Sequence, residues 1–400
     1  MTTMQSFRSP SLIRCGGGSR HEVGQLVRQL NATRVLVVTD PGVIQLGLHT
    51  DVLASLKLHG CTTEIFSAVQ PDPSDTNVRD GLRAAQAHKA DVLVAIGGGS
   101  AMDCAKVLAI AVRHGDDLPS WSGRDRIPGP GIPLIAVPTT AGTGSEASSV
   151  AVITNTSAAV KMLMLSPHLM PRIAIVDFEL SLGMPRGLTA AVGVDTLTHG
   201  IESYVSRQAG PLTDSIALSC IELCGRFLER AWRDGSDREA REGMMAAACQ
   251  GGMAFTNSSV ALVHGMSRPI GALFHLPHGL SNAVLLPSVT AWSLPAASAR
   301  YATVARTLGL AASSDSDLVA GKRLVEYLVG LNERLAIPSL GVAIKTDISA
   351  FRAVIAKMAT DALASGSPAN NPRVPTPAEI AQLYEAAFHG RLVAVEQAAS

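Results

Sequence analysis

Four side chains in the second half of the chain have the types and spacing of a site for a divalent metal ion. Asp195 and His199 lie four residues apart, and His264 and His278 follow downstream. If this segment is helical, the carboxylate and the first imidazole share one face and can bind the same ion. Three imidazoles and one carboxylate suffice for a transition metal, although they do not distinguish iron from zinc. A lone histidine is more often a core or surface residue, so a structural role stays open at this point.

A glycine-rich segment in the first half is suited to binding the pyrophosphate of a dinucleotide. It follows an apolar run, opens a helical pattern, and contains Gly97, Gly98, Gly99, Ser100 and Asp103. Residues without side chains let backbone N–H groups approach an anion, and a helix N-terminus adds partial positive charge. Glycine turns also occur for steric reasons alone, so this segment by itself is a weak signal.

A second polar turn strengthens the nucleotide prediction. It spans residues 138–146 after another apolar run and supplies the hydroxyls of Thr139, Thr140 and Thr143. In open α/β sheets, ligands bind at the carboxyl ends of the strands. Asp40 also ends an apolar run, and a carboxylate there would bind both adenosine ribose hydroxyls and repel a 2′-phosphate. That favours NAD(H) over NADP(H), unless Asp40 only caps the following turn.

Hydrophobic patterning divides the chain into two parts. Apolar runs at 34–39, 91–96, 133–137 and 173–176 alternate with helical patterns, one of which begins at Ser74–Asp75. This alternation predicts a Rossmann-like α/β nucleotide-binding domain over residues 1–185. The remainder predicts an all-helical metal-binding domain over residues 186–400. Its expected helices are 187–206, 211–233, 237–255, 258–271, 297–308, 315–335, 347–363 and 376–388, the last beginning at Thr376–Pro377.

The bulk composition excludes several classes of protein. The chain has 400 residues, 33 basic and 33 acidic side chains, and only 4% aromatic residues. Balanced charge and few aromatics predict no nucleic-acid or anionic-membrane partner. The first residues lack the apolar core of a signal peptide, and no apolar run reaches the roughly 18 residues of a membrane span. Six scattered cysteines predict reduced thiols in a cytoplasmic protein.

Taken together, these motifs resemble those of the iron-containing (group III) alcohol dehydrogenases. The segments 97–106, 138–146, 193–204, 264–279 and 372–380 are similar to that family's nucleotide, metal and C-terminal segments. The resemblance implies NAD(H), Fe²⁺ (with Zn²⁺ in some relatives) and a homodimer or larger homo-oligomer. It implies that the four residues of the first paragraph are the metal ligands. It also implies hydride transfer between the nicotinamide and a small alcohol or aldehyde, with the metal as Lewis acid.

Three further residues gain a meaning from this resemblance. Lys161 resembles a family lysine near the cofactor, although a solvated lysine is the alternative. Many members carry histidine four residues after the third metal ligand, where this chain has Arg268. His275 could then relay protons, or only pack near the metal. Arg268 could bind a substrate carboxylate bidentately, which predicts hydroxy acids and semialdehydes, or form a structural salt bridge.

Three other functions share part of the pattern. A lyase or cyclase of the dehydroquinate synthase type has a similar architecture but uses glutamate in its ligand set and a basic pocket. A reductase of the maleylacetate type works without metal and is expected to lack the intact ligand set. A non-catalytic nucleotide-binding protein is expected to have lost ligands or the phosphate loop. The intact pattern favours the metal-dependent dehydrogenase over all three.

Overall fold

The fold was analysed in a computed structural model that describes residues 6–158 and 160–393. These residues form two compact units. The first consists of Arg8–Met184 with Ser236–Thr256, and the second of Pro185–Gly235 with the chain from Asn257 onward.

A six-stranded parallel sheet forms the centre of the first unit. The strands of the chain are β1 (Leu12–Cys15), β2 (Arg34–Val38), β3 (Thr62–Phe66), β4 (Val92–Gly97), β5 (Gly123–Arg124), β6 (Leu134–Pro138), β7 (Val150–Asn155), β8 (Val160–Leu165) and β9 (Ile173–Val176). The large sheet has the order β1-β9-β6-β4-β2-β3, and all its pairings are parallel. Every residue of β4 and β6 is buried, as expected for strands covered on both faces. The four apolar runs in the sequence correspond to β2, β4, β6 and β9.

Helices cover both faces of this sheet. They are α1 (Val23–Gln29), α2 (Pro41–Gln45), α3 (Thr50–Leu58), α4 (Asp75–His88) and α5 (Gly99–His114). Alternate strand residues point to two separate cores: Leu36 and Leu93 pack with α4 and α5, whereas Val35 and Val92 pack with α1 and α3. Ser74 caps α4 by accepting from the Asn77 amide, which confirms the predicted helix start. The doubly wound α/β architecture is therefore confirmed.

From Pro185 onward the described chain contains helices and no strand. The helices are α6 (Arg186–Val205), α7 (Pro211–Arg233), α8 (Arg238–Ser258), α9 (Leu262–Phe274), α10 (His278–Ser293), α11 (Ser298–Thr307), α12 (Asp317–Arg334), α13 (Leu340–Ile344), α14 (Ile348–Ala364) and α15 (Pro377–Phe388). Thr376 caps α15, as the sequence predicts. Among the described residues, none of the helices is both long and apolar enough to cross a membrane.

Most of α8 packs with the α/β unit, although the predicted division at residue 185/186 places it in the helical domain. The reason is a close backbone approach: a Cβ on Gly252 would lie 2.1 Å from the Gly144 carbonyl oxygen. The Ser149 amide also donates to the Thr256 hydroxyl (3.1 Å). The polar turn after β6 is therefore held by a helix that is distant in sequence.

Candidate active site

Helix α6 presents three ionisable side chains on one face. Asp195, His199 and Glu202 have helical spacing and are all buried. Gly193 and Gly200 lie on a different face, where a Cβ would meet Leu228 and Ile221 of α7 at 2.2 and 2.8 Å. Close packing against α7 therefore fixes the rotation of α6.

The two downstream histidines approach this face from α9 and α10. His264 Nε2 lies 3.6 Å from Asp195 Oδ1, and His199 Nε2 lies 3.9 Å from the same oxygen. One ligand atom each from Asp195, His199 and His264 can be chosen so that all three lie within 4.8 Å of one another. The centroid of the His278 ring lies 5.3 Å from that of His264. The structure therefore brings all four sequence-predicted residues together, with His278, at the start of α10, as the exposed member.

A buried carboxylate sets the orientation of His264. Glu202 accepts from His264 Nδ1 (2.7 Å) and from the backbone amides of Ala261 (2.9 Å) and Val263 (2.6 Å). A carboxylate at Nδ1 favours the tautomer with the proton on Nδ1, in which the Nε2 lone pair lies on the side of Asp195 and Asn282. Burial lowers the pKa of His264 well below its usual value, and this favours the neutral, metal-binding form.

An amide lies among the converging ligand atoms. Asn282 Nδ2 is 2.6 Å from Asp195 Oδ1, 3.1 Å from His264 Nε2 and 3.1 Å from His278 Nε2. Asn282 Oδ1 is buried and has no hydrogen-bond partner within the described part of the chain. Asn282 therefore marks the point on which the candidate ligands converge.

These residues fit a divalent transition metal. Asp195 is 1% exposed, and the cluster around it offers imidazoles rather than a lysine or arginine ion-pair partner in the described chain. A buried carboxylate that lacks such a cation is costly, and a bound ion relieves that cost. Three nitrogen donors and one oxygen donor match the preference of Fe²⁺ or Zn²⁺.

In the first unit, the two predicted nucleotide turns meet at the carboxyl edge of the sheet. The Thr139 amide donates to the Gly97 carbonyl (2.9 Å), where β4 and β6 pair side by side. A Cβ on Gly99 would lie 2.9 Å from Thr143 Cγ2. Gly97 has φ 151°, and a Cβ there would lie 2.8 Å from Ala101 Cβ. Glycine is therefore required where the two turns approach, and backbone donors are left accessible at the start of α5.

The other predicted nucleotide contacts lie around this edge. Asp40 caps α2 by accepting from the Val43 amide (3.0 Å), and its other oxygen would lie 3.0 Å from a Cβ on Gly97. Thr140 flanks Gly98, and Ser100 is half-buried in the first turn of α5. Lys161 lies on β8 and forms an ion pair with Asp72 (2.6 Å). A contact between Lys161 and the cofactor therefore stays a prediction.

Asp103, on α5, links the glycine-rich turn to the polar turn that follows β6. Its carboxylate accepts from the Ser145 hydroxyl (2.8 Å) and the Val152 amide (2.9 Å). Lys106 donates to Ser145 Oγ (2.7 Å), Ser148 Oγ (3.0 Å) and a backbone carbonyl. Burial lowers the pKa of Lys106 to about 8, against the opposing effect of Asp103. A nucleotide contact by Asp103 stays a prediction, whereas its observed contacts are structural.

We expect Asp103→Ala to lower the free energy of unfolding by about 2–5 kcal/mol, because it leaves the Ser145 hydroxyl and the Val152 amide without their acceptor and removes one of the two carboxylates, with Glu146, that act on buried Lys106. Thermal unfolding of the nucleotide-free protein measures this effect. Ser100→Ala serves as the control and should leave the melting temperature near that of the wild type. An unchanged melting temperature in Asp103→Ala, with NADH affinity lost, would instead support a direct cofactor contact.

We expect Asp40→Asn to reduce the preference for NADH over NADPH about tenfold or more, because it removes the charge that repels a 2′-phosphate. Asparagine caps helices as well as aspartate does, so the stability of α2 should be preserved. Steady-state kcat/KM with each cofactor measures the preference. If the preference is unchanged while the cap stays intact, Asp40 is only a capping residue.

The structure places the two predicted catalytic residues on α9 and at its end. Arg268 is half-buried and donates to Ser367 Oγ (2.8 Å). No carboxylate in the described chain lies within 4.0 Å of its guanidinium, so the salt-bridge alternative is not supported. His275 is exposed and ends α9 with a left-handed backbone, φ 53°.

Sequence reasoning missed Glu202 and Asn282. Both lie at helical spacing from predicted ligands, Glu202 three residues after His199 and Asn282 four residues after His278. Extending the metal pattern along the predicted helix of His199 would have found Glu202, whereas the position of Asn282 depends on α10, which the sequence does not predict.

Comparison with known proteins relates both halves of the chain to one family. Residues 10–178 match the family described as iron-containing alcohol dehydrogenase, and residues 189–388 match its C-terminal family. The chain is 38% identical to the NAD-dependent methanol dehydrogenase of Bacillus methanolicus over 389 residues, which cover 96% of this chain and 100% of that protein. It is 37% identical to the 1,3-propanediol dehydrogenase of Citrobacter freundii over 387 residues, covering 96% and 99%. A crystal structure of 1,3-propanediol oxidoreductase matches with a TM-score of 0.93 at 36% identity, covering 96% of this chain and 100% of that one.

Proposed function

Since the chain belongs to the iron-containing alcohol dehydrogenase family, as its motifs predict, we propose that it transfers hydride reversibly between NAD(H) and a small alcohol or aldehyde. The observation that carries the proposal is the convergence of Asp195, His199 and His264 within 4.8 Å. The relatives named for methanol and 1,3-propanediol support small alcohols as the substrate class. In this proposal, residues 1–185 bind the nucleotide and residues 186–400 bind the metal.

Asp195, His199, His264 and His278 would hold Fe²⁺, or alternatively Zn²⁺. Such an ion supplies Lewis-acid polarisation of an oxygen atom of the substrate. The protein's own contribution begins with Glu202, which keeps the proton of His264 on Nδ1 (2.7 Å) and so keeps Nε2 available as a ligand atom. The buried positions of Asp195 and His264 exclude water from the inner side of the site.

The nucleotide is held by the turns that follow β4 and β6. Backbone N–H groups at Gly97–Gly99 and the first turn of α5 suit a pyrophosphate. The hydroxyls of Thr139, Thr140 and Thr143, with Lys161, are the further proposed contacts. Asp40 would select NAD(H), because its carboxylate lies beside the glycine loop.

Aldehyde reduction consumes a proton and alcohol oxidation releases one. His275 is exposed and lies three residues before His278, which suits exchange of that proton with solvent. We propose that it serves as the relay. We also propose a homodimer or larger homo-oligomer in the cytoplasm, and the six free thiols support a reducing compartment.

An anaerobic assay tests the proposal. Chelator-treated protein is reconstituted with Fe²⁺ or Zn²⁺, and NADH absorbance is followed with alcohols, diols and aldehydes. We expect turnover only after metal is restored. Turnover that does not depend on metal would favour a reductase of the maleylacetate type. Absence of turnover with every alcohol and aldehyde would favour the lyase or cyclase alternative.

A further inference from the structure

Arg268, in the helical unit, has no carboxylate within 4.0 Å of its guanidinium among the residues that the structure describes. The Arg268 side chain is half-buried, and its one hydrogen-bond partner in the described chain is the neutral hydroxyl of Ser367 (2.8 Å). Burial lowers the pKa of Arg268 to about 10, so the side chain stays charged at neutral pH. Burying a charge without a partner is costly, and a bound anion offsets this cost.

Arg268 lies beside the candidate metal ligands. It follows His264 by four residues on α9, so both side chains share one face of the helix. Glu202 is the acidic group that acts on Arg268 electrostatically, but its carboxylate already accepts from three N–H groups around His264. The guanidinium is therefore close to the site without being neutralised by it.

The hydrogen-bond partner of the guanidinium, Ser367, is held in place by close packing. Ser367 belongs to the 3-10 turn Ser367–Asn370, which lies against α9 where a Cβ on Gly265 would be 2.6 Å from Pro368 Cγ. Ser367 uses one of the five N–H donors of Arg268, so a pair of parallel donors is available for a carboxylate. A planar donor pair is suited to bidentate recognition of a carboxylate.

We propose that Arg268 binds the carboxylate of the substrate, so that short ω-hydroxy acids and their semialdehydes are the preferred substrates. This inference rests on the proposed dehydrogenase function. In reduction, the aldehyde carbon accepts a hydride from C4 of NADH and the oxygen accepts a proton, giving the hydroxy acid and NAD⁺. The carboxylate bound at Arg268 is unchanged.

The test compares succinic semialdehyde with butanal and 4-hydroxybutanal, which have the same chain length and no charge. We expect the wild-type kcat/KM to be about tenfold or more higher for the semialdehyde. Arg268→Gln should lower the semialdehyde value about 10- to 100-fold, chiefly through KM, so that the ratio to butanal approaches one. Arg268→Lys keeps the positive charge but loses the paired N–H donors of the guanidinium. Its ratio of kcat/KM for the semialdehyde to that for butanal should lie between the wild-type and Arg268→Gln values.

Arg352→Gln is the matched control, because Arg352 pairs with Glu385 on the exposed surface and its loss should leave the ratio unchanged. Equal wild-type kcat/KM values for the semialdehyde and butanal would overturn the inference. An equal loss for both aldehydes in Arg268→Gln would overturn it as well.

A second measurement covers the case in which Arg268→Gln does not fold. Calorimetry with the folded wild type should show butyrate binding at least about tenfold more tightly than butanamide. Equal affinities would contradict the carboxylate site. If no aldehyde is reduced by NADH but butyrate is still preferred, the dehydrogenase proposal fails and the carboxylate site stands.

Discussion

His264→Ala is expected to lower kcat for both alcohol oxidation and aldehyde reduction by about 10³-fold or more. The substitution removes one proposed metal ligand and leaves Glu202 without the imidazole it orients at 2.7 Å. The several kcal/mol that a bound metal supplies to a reaction correspond to a loss of this size. Steady-state kinetics of the reconstituted protein measures the loss.

NADH binding should change little in this variant, because the glycine loop and the threonine turn lie in the other compact unit. NADH fluorescence titration measures the binding directly. His88→Ala is the control, because His88 lies on α4, is partly exposed and contacts a backbone carbonyl of β3. Wild-type turnover in His264→Ala would contradict the metal assignment. A parallel loss of turnover and NADH binding would indicate misfolding or a different site.

Glu202→Gln is expected to weaken the affinity for Fe²⁺ or Zn²⁺ about 10- to 100-fold. The glutamine is similar in size, but it removes the negative charge that favours a proton on His264 Nδ1. Nε2 then becomes a poorer ligand. Competition against a chelator of known affinity measures the change without relying on turnover.

Glu222→Gln provides the matched control, because Glu222 lies on α7 and is exposed. Its metal affinity should equal that of the wild type. A purely structural role for Glu202 would lower the melting temperature in Glu202→Gln and leave metal affinity unchanged. That result would remove Glu202 from the account of the metal site.

The convergence of the candidate metal ligands could be predicted because their chemistry is visible in residue type and spacing. Asp195 and His199 share a helix face by periodicity alone, and the structure places His264 and His278 beside them. Asn282 could not be identified in this way, since its role depends on where α10 places its amide. That no carboxylate of the described residues lies within 4.0 Å of the Arg268 guanidinium is likewise a tertiary property that no local pattern shows.

The fold, like the site, could be predicted from the sequence only in part. Strands buried on both faces are recognisable as apolar runs, whereas the edge strands β1 and β3 contain polar and exposed residues and were missed. The antiparallel hairpin β7–β8 was missed as well. Helix α10 was not predicted, because it contains Pro287 and is almost entirely buried, so it lacks an amphipathic pattern. The packing of α8 on the α/β unit depends on Gly144 and Gly252, which are far apart in sequence.

The most direct measurement of the central claim is an anaerobic titration of metal-free protein with Fe²⁺, in which bound iron and NADH-dependent turnover are determined in the same samples. The proposed site predicts that turnover rises in proportion to bound iron and reaches its plateau at one ion per chain. Full turnover before any metal is added, or one ion bound per chain with no turnover toward any alcohol or aldehyde, would contradict it.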